Sequence, residues 1–460
     1  MYQIHKFEKA FDKVSRFKLL KKLVKLGIGN VMLQALKRLY TETYCILSHG
    51  KEYSEIFRTF TGIRQGASSS ALLFITFIDD LVDYLKEHCQ TEAILEDLHC
   101  LLHADDTVII STERTLFVQK CDHMLDYFRE NSLSLNLSKS GYLIINGNND
   151  IKSNIMLKNG ILEYKSVVTY LGVIISDKGN IEHDALLYLE EKRSNVTIRY
   201  GNFCRKNFLA PLDVKLHVLN SCMSTALIYG SETWGKCRMN KFEVIYRQGL
   251  KTALSIRSTV NNEIVYIESG EYPLFIRIAK QQINFWGSIQ NLAQDHYISK
   301  LIHTAEESEF VRYYKDLEHH YNTPCEYERL MKNDFQDAIK EKLQTAAQQD
   351  VNSKLGTYSI LNPNLLKPKY EYKLEFQRVM ITRYRTGAHN LMIEKGRRQP
   401  RIPQEERLCS CNRGVQTIHH VIMDCLLLNE LRNKYNVTCV ENGIMNDQFL
   451  LEMEHILGIK

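Results

Sequence analysis

Proline is scarce, with seven in 460 residues, against a usual share of about 5%. That scarcity argues against a loop-rich architecture and for long helices. Long apolar runs are also missing. The longest candidate, Ala71–Ile78, stops at Asp79-Asp80, far short of the roughly 18 residues that a membrane span needs. No basic-then-apolar leader opens the chain, and no internal repeat is visible. Neither sign of charge dominates, the net being +5, so any affinity for a polyanion has to be local. The twelve cysteines are scattered, without the dense spacing of a small secreted scaffold. The expectation is an intracellular protein, cytoplasmic or nuclear, with reduced thiols and no membrane partner.

What is present is a globular composition, 44% hydrophobic and 25% charged. The length allows two to four domains of roughly 150 residues each. Charge is concentrated late: Lys367–Arg413 holds twelve Lys/Arg against five Asp/Glu, a net of +7 that exceeds the whole-chain value.

The stretch with the most chemistry in it is Leu101–Ser111, LLHADDTVIIS. Apolar and β-branched residues on both sides of Asp105-Asp106 predict a tight hairpin with the acids at its tip. Adjacent carboxylates repel unless a cation sits beside them, and hard oxygen ligands suit magnesium. A polar turn between two strands is the plain alternative. Four further stretches accompany it: FEKAFDKV at Phe7–Val14, GIRQGASSSALLF at Gly62–Phe74, LSKSGYLII at Leu137–Ile145, and Tyr170-Leu171-Gly172.

In this order and at these spacings, the set resembles the palm of a reverse transcriptase, with the non-LTR (LINE-type) retrotransposon polymerases as the nearest match. The resemblance implies an α+β right-hand polymerase palm, an antiparallel sheet with helices, and RNA-templated DNA synthesis with two magnesium ions. The implied partners are an RNA template, a DNA primer and deoxynucleoside triphosphates. It places Asp105 as a direct metal ligand and Asp106 in a supporting role, with His103 where the family usually has Tyr. Gln65 and Gly66 would lie against the incoming nucleotide and template, Lys139 would approach its phosphates, and Tyr170, Leu171 and Gly172 would steady the primer end. The usual Ser-Pro after the Gln-Gly pair reads Ser70-Ala71 here.

The opening motif departs from the family. Its pattern is an Asp, four residues, then an aromatic that screens the ribose 2′ position. Phe11 fits the aromatic, which puts Lys6 at the position of the missing catalytic Asp. The motif thereby gives up a ligand and gains a cation. Two unit charges about 4 Å apart interact by roughly 4 kcal/mol at an effective dielectric of 20, so such a lysine competes with metal. Asp12 and Glu8 stand nearby at the wrong offsets. The expectation is a polymerase fold with impaired catalysis, and a Lys6 amine within salt-bridge reach of Asp105; an amine pointing to solvent is the alternative. Family members place this motif well inside the polymerase, so the fingers region is expected to be missing and the chain to be an N-terminally truncated piece.

From Ile181 onward the pattern turns helical almost throughout; before it, helices and strands mix. Lys18–Tyr40 reads as two helices broken at Gly27 and Gly29, Ile46–Thr61 as a strand pair, Ser69–Lys86 and Glu113–Glu130 as helices. Asn159-Gly160 is a hairpin signal, and Val167–Ser176 reads as a strand. Ile181–Cys204 and Leu212–Tyr229 read as long helices, and Tyr229–Trp234 resembles a thumb signature of the same family, with Trp234 as a packing anchor. The expected domains are a palm at 1–180, a helical thumb at 181–300, a helical connector and linker at 301–368, a basic segment with a zinc knuckle at 369–430, and a tail at 431–460. Asn362–Pro368 is the linker candidate.

Cys409, Cys411, His420 and Cys425 have a spacing that suits one tetrahedral, structural zinc, and the family carries a similar knuckle at its C-terminus. His419 competes with His420 as ligand, and four reduced residues in a small core is the plain alternative. Just upstream, Lys395, Arg397, Arg398 and Arg401 lie with Pro400 and Pro403, which keep them out of a helix. They read as a nucleic-acid contact through the phosphate backbone, or as a solvated charge run. Two other functions stay open: a non-catalytic RNA-binding relic of a retroelement, and a group II intron maturase-like protein, against which the Cys/His tail speaks.

Overall fold

The protein is described by a computed structural model, which covers residues 10–92, 98–104, 106–136, 139–147, 152–234, 240–319, 323–350, 353–369, 374–398 and 400–459, with 2–6 and 320 by backbone alone. Two compact units divide it, Met1–Asp184 and Ala185–Lys460.

The N-terminal unit is built on strand β1 (Tyr2–Lys6). Two small hairpins come next in the chain, one nested inside the other in sequence. The outer pairs β2 (Thr43–Cys45) with β5 (Phe57–Thr59), and the inner pairs β3 (Ser48–His49) with β4 (Glu52–Tyr53). Strands β6 (Cys100–His103), β7 (Asp106–Ile110) and β8 (Gly141–Leu143) complete the main sheet, in the order β6-β7-β1-β8, antiparallel throughout. Two hairpins follow, β9 (Ile155–Leu157) with β10 (Gly160–Leu162), and β11 (Val167–Tyr170) with β12 (Val173–Ser176).

Side chains alternate between the faces of a strand, and the sheet divides accordingly. Ile109, Cys100 and Tyr142 join the core formed with Phe117, Cys121 and Met124 of helix Arg114–Glu130 and with Phe74 and Phe77 of helix Ser70–Ile78. Val108 and Leu143 turn to the opposite face, where they meet Val168, Tyr170 and Ile175 of the β11–β12 hairpin. Asp106 shares the alternation of Val108 and Ile110, so it belongs to that second face.

Behind the sheet lies a buried ion pair that no motif announced. Lys120 Nζ is 2.6 Å from Glu92 Oε1, with both side chains almost wholly enclosed. Lys120 also donates to the Ile110 carbonyl at 3.1 Å. Glu92 accepts from the Thr112 amide and hydroxyl at 2.6 and 2.5 Å. Burial alone raises the Glu92 carboxyl, but the hydrogen bonds from Lys120 and Thr112 outweigh it and hold it down at about 2.

Three expected elements differ, the first being the strand pair read at Ile46–Thr61, which is two nested hairpins whose outer one starts earlier, at Thr43–Cys45. The helix predicted at Ser69–Lys86 is two, Ser70–Ile78 and Leu81–His88, because Asp79-Asp80 interrupts the apolar run. The strand predicted at Val167–Ser176 is a hairpin, turning at Leu171 (φ 47°) and Gly172 (φ 81°).

The C-terminal unit is helical. Helix Ile181–Lys206 enters it, and Leu212–Val218 runs through a π-helical turn, Leu219–Ser224, into Thr225–Ile228. Helix Asn240–Leu254 crosses this turn so closely that a Cβ on Gly249 would fall 2.5 Å from Leu219 Cδ1. Trp234 is buried, its ring 4.6 Å from Phe242 and 6.0 Å from Tyr188. Glu375 is enclosed between Lys215 and Arg378, 2.7 Å from each. Asn362 is buried too, and its side chain bonds both ways with the Leu366 backbone, at 2.8 and 3.1 Å. One apolar core extends from Leu361 and Ile381 through Cys409, Ile418 and Cys425 to Phe449 and Leu457.

Candidate functional site

At the tip of the β6–β7 hairpin, His103 pairs with Asp106, and across β7 the backbone of Lys6 pairs with the same residue. Positions 103, 106 and 6 thus form one row across three strands. Ala104 turns the hairpin with φ 49°. Asp105, the Lys6 side chain and the expected bridge between them lie outside the described residues. Asp106 is half-buried and His103 exposed. Burial pushes the Tyr170 phenol up, and the Asp106 carboxylate pushes it further the same way. Tyr170 packs with Val108 and Leu143 on the acid's side of the sheet.

Phe11, Gln65 and Gly66 come together beside each other. The Ile63 amide donates to the Phe11 carbonyl at 2.8 Å, and the Gly62 amide to the Val14 carbonyl at 2.9 Å. These bonds zip the opening helical turn, Ala10–Lys13, to the Gln-Gly loop. The Phe11 ring stacks on Phe74 with centroids 5.0 Å apart. Gln65 Nε2 donates to Asp12 Oδ1 at 2.9 Å, a partnership that sequence spacing did not disclose. Gly62 has φ +85°, and a Cβ there would stand 2.8 Å from the Asp12 carbonyl. Gly66 also has a positive φ, +83°, but the space beside it is open. The Ser-rich entry to the next helix works differently from an ordinary N-cap: Ser69 makes no side-chain cap bond, and the buried Ser70 hydroxyl donates to the Arg64 carbonyl instead. Lys139 is exposed, its amide bonded to Asn136.

Residues 5–175 match the family model for reverse transcriptase (RNA-dependent DNA polymerase). The matched span runs from β1 to the end of the β11–β12 hairpin and takes in the whole of the row at the hairpin tip. At the family level the reverse transcriptase domain is a nucleotidyltransferase, which takes an RNA template, a primer and deoxynucleoside triphosphates and generally uses magnesium.

Outside the reverse transcriptase match, in the C-terminal unit, the ligand atoms of Cys409, Cys411, His420 and Cys425 all lie within 4.8 Å of one another. Cys409 Sγ is 3.7 Å from Cys425 Sγ, and Cys411 Sγ is 3.2 Å from His420 Nε2. Ligands on one tetrahedral zinc, bonded at 2.0–2.3 Å, stand about 3.5–3.8 Å apart, so the group is close to that geometry. The backbone prepares it. Leu408 and Val415 bridge antiparallel, the Cys409 amide donates to the Gly414 carbonyl at 2.8 Å, and Asn412 takes φ 57°. Burial lowers the His420 imidazole, which keeps it neutral as a ligand must be. Burial raises the Cys411 thiol, but sulfur-directed bonds, first from the Arg413 backbone, outweigh it and bring it below its ordinary value. Cys425 is pushed up to about 12 by burial. His419 is turned away, 3.1 Å from Asp424 on the surface, so His420 is the histidine of the group.

The basic segment divides. Arg397 is committed to the buried Glu394 at 2.6 Å, and Glu394 also holds Lys354 at 3.0 Å. Lys395, Arg398 and Arg401 are exposed. Lys395 ends a short helix, Met392–Lys395, rather than sitting in an extended loop, because Pro400 and Pro403 act only beyond it.

Proposed function

We propose that this chain carries the palm of a non-LTR reverse transcriptase whose catalytic row has lost its first acid at Lys6, joined to a C-terminal zinc knuckle. The observation that carries the reading is the register of β1 on β7, with Lys6 opposite Asp106. Where the fold asks for carboxylates from both strands, this sequence offers an amine from one of them. Magnesium, when bound, would neutralise the triphosphate and activate the primer hydroxyl; Asp105 and Asp106 are the residues that would hold it. Phe11 would screen the ribose, with its ring fixed by Phe74. Gln65, steadied by Asp12, would lie against template and nucleotide, with Gly66 leaving room for it. Tyr170 would support the primer end.

The zinc reading rests on the Cys409, Cys411, His420 and Cys425 distances and on backbone amides directed at sulfur. One ion per chain, absent from a Cys409→Ser, Cys411→Ser variant, is the expected metal content; equal content in both proteins overturns it.

Primer extension on an RNA template with magnesium tests the palm. The expected result is weak extension by the natural protein and a rise in the Lys6→Asp variant, abolished again when Asp106→Asn is added. Robust extension by the natural protein, unchanged by Lys6→Asp, overturns the impaired reading. Lys6 itself also favours a second reading, a non-catalytic RNA-binding relic, in which Lys6→Asp restores nothing while RNA binding persists.

A further inference from the structure

Two arginines of the C-terminal unit, Arg257 and Arg383, line one cleft without an ion-pair partner among the described residues, and a third, Arg398, shares a carbonyl partner with the first. Arg257 donates to Asn390 Oδ1 at 2.5 Å and to the His389 carbonyl at 3.5 Å. Arg398 reaches the same carbonyl at 3.4 Å. Arg383 donates to the Ser255 carbonyl at 3.3 Å. A carbonyl cannot cancel a full charge, so guanidiniums held only by neutral oxygens favour an incoming anion. His389 adds no charge, since burial lowers its imidazole to about 3. Glu454 is the one carboxylate lining the cleft among the described residues, and the Tyr384 hydroxyl already engages it at 2.7 Å.

The cleft holds about 530 Å³, within the range of small-ligand sites. Phe208 and Phe376 line it and are 44% and 45% exposed. Phe208 also carries the buried Lys215 ammonium over its ring, 5.4 Å from the centroid, and both rings still leave close to half their surface open in a cationic cleft. Phosphates between guanidiniums and bases on phenyl faces are how single strands are held without sequence preference.

We infer that this cleft is a binding site for single-stranded nucleic acid, taking phosphates on Arg257 and Arg383 and bases on Phe208 and Phe376. The inference does not depend on the state of the palm. Duplexes do not fit this chemistry, since their bases are already stacked.

Fluorescence anisotropy of the full chain with a labelled ten-nucleotide oligo(U) tests it, with oligo(dT) and an RNA duplex as further probes. Arg257→Gln with Arg383→Gln is expected to weaken oligo(U) binding at least tenfold. It should also flatten the salt dependence by about 1.4 in log–log slope, at roughly 0.7 for each phosphate no longer neutralised. Phe208→Ala with Phe376→Ala should weaken it about fivefold or more with the slope kept, and leave duplex binding unchanged. Oligo(dT) should follow oligo(U) within a few-fold. Natural affinity and slope in both double variants overturn the proposal. Should the arginine variant fail to fold, 4-thiouridine cross-linking of the unaltered protein decides: labelled peptides containing Phe208 or Phe376 support the site, and labelling confined to other peptides refutes it.

Discussion

A single methyl group separates two glycines that look alike in sequence. Gly62 and Gly66 both take positive φ, near +85° and +83°, where an L-residue costs roughly 1–2 kcal/mol. Only Gly62 also faces a backbone, the Asp12 carbonyl at 2.8 Å from its would-be Cβ. Gly62→Ala should therefore lower stability by about 2–4 kcal/mol, and Gly66→Ala by about 1–2 kcal/mol; comparing their denaturant midpoints checks it. The Glu92–Lys120 pair makes a second claim at this scale. Lys120→Met strands a buried carboxylate and should cost about 3–5 kcal/mol, whereas Glu92→Gln with Lys120→Met should cost less. Because the Glu92 carboxyl is held at about 2 against an ordinary 4.5, its contribution is complete above pH 4.5 and drains away as pH falls towards 2. The stability of the natural protein should fall through that window more steeply than that of the double variant. Neither feature was legible in the sequence. Phe11, Gln65 and Asp106 could be singled out by motif order, because each sits in a short recognisable string. Glu92 and Lys120, like Asp12 and Gln65, meet only through tertiary folding, and nothing local marks them.

Elements were legible where a local turn or period signals them, and obscure where the signal is shared by two conformations. Asn159-Gly160 announced its hairpin. The turn at Leu171-Gly172 did not announce itself within Val167–Ser176, because β-branched residues on both sides read as one run and leucine seldom takes φ 47°. Both central residues have positive φ, the pattern of a type I′ turn, which prefers Asn-Gly. Leu171→Asn should accordingly raise stability by about 0.5–1 kcal/mol. The shift belongs in the unfolding rate or midpoint, with the packing of Val168 and Ile175 on the sheet left intact. A fall in stability would mean that the leucine side chain supplies more than the turn takes away.

At the scale of the C-terminal unit, the question is whether the Cys/His group stabilises only its own loop. Cys409 and Cys425 belong to the same apolar core as Leu361 and Leu457. Leu361 ends helix Lys354–Leu361, which packs on helix Pro324–Gln349, and that helix packs on Leu274–Gln290, where Trp286 is buried. Packed interiors transmit such changes, because they do not deform continuously. Both tryptophans of the chain, Trp234 and Trp286, lie in this unit, so tryptophan emission reports on it alone. Binding energy at a structural zinc is folding energy, and each kcal/mol of destabilisation moves the midpoint of a large domain by about 2–4 °C. Removing the metal with a chelator, or Cys411→Ser, should lower the emission-detected midpoint by at least about 5 °C, with zinc addition reversing only the first. An unchanged midpoint alongside measured zinc loss would mean that the group folds apart from the helices, and that the core running from Leu361 to Leu457 does not act as one.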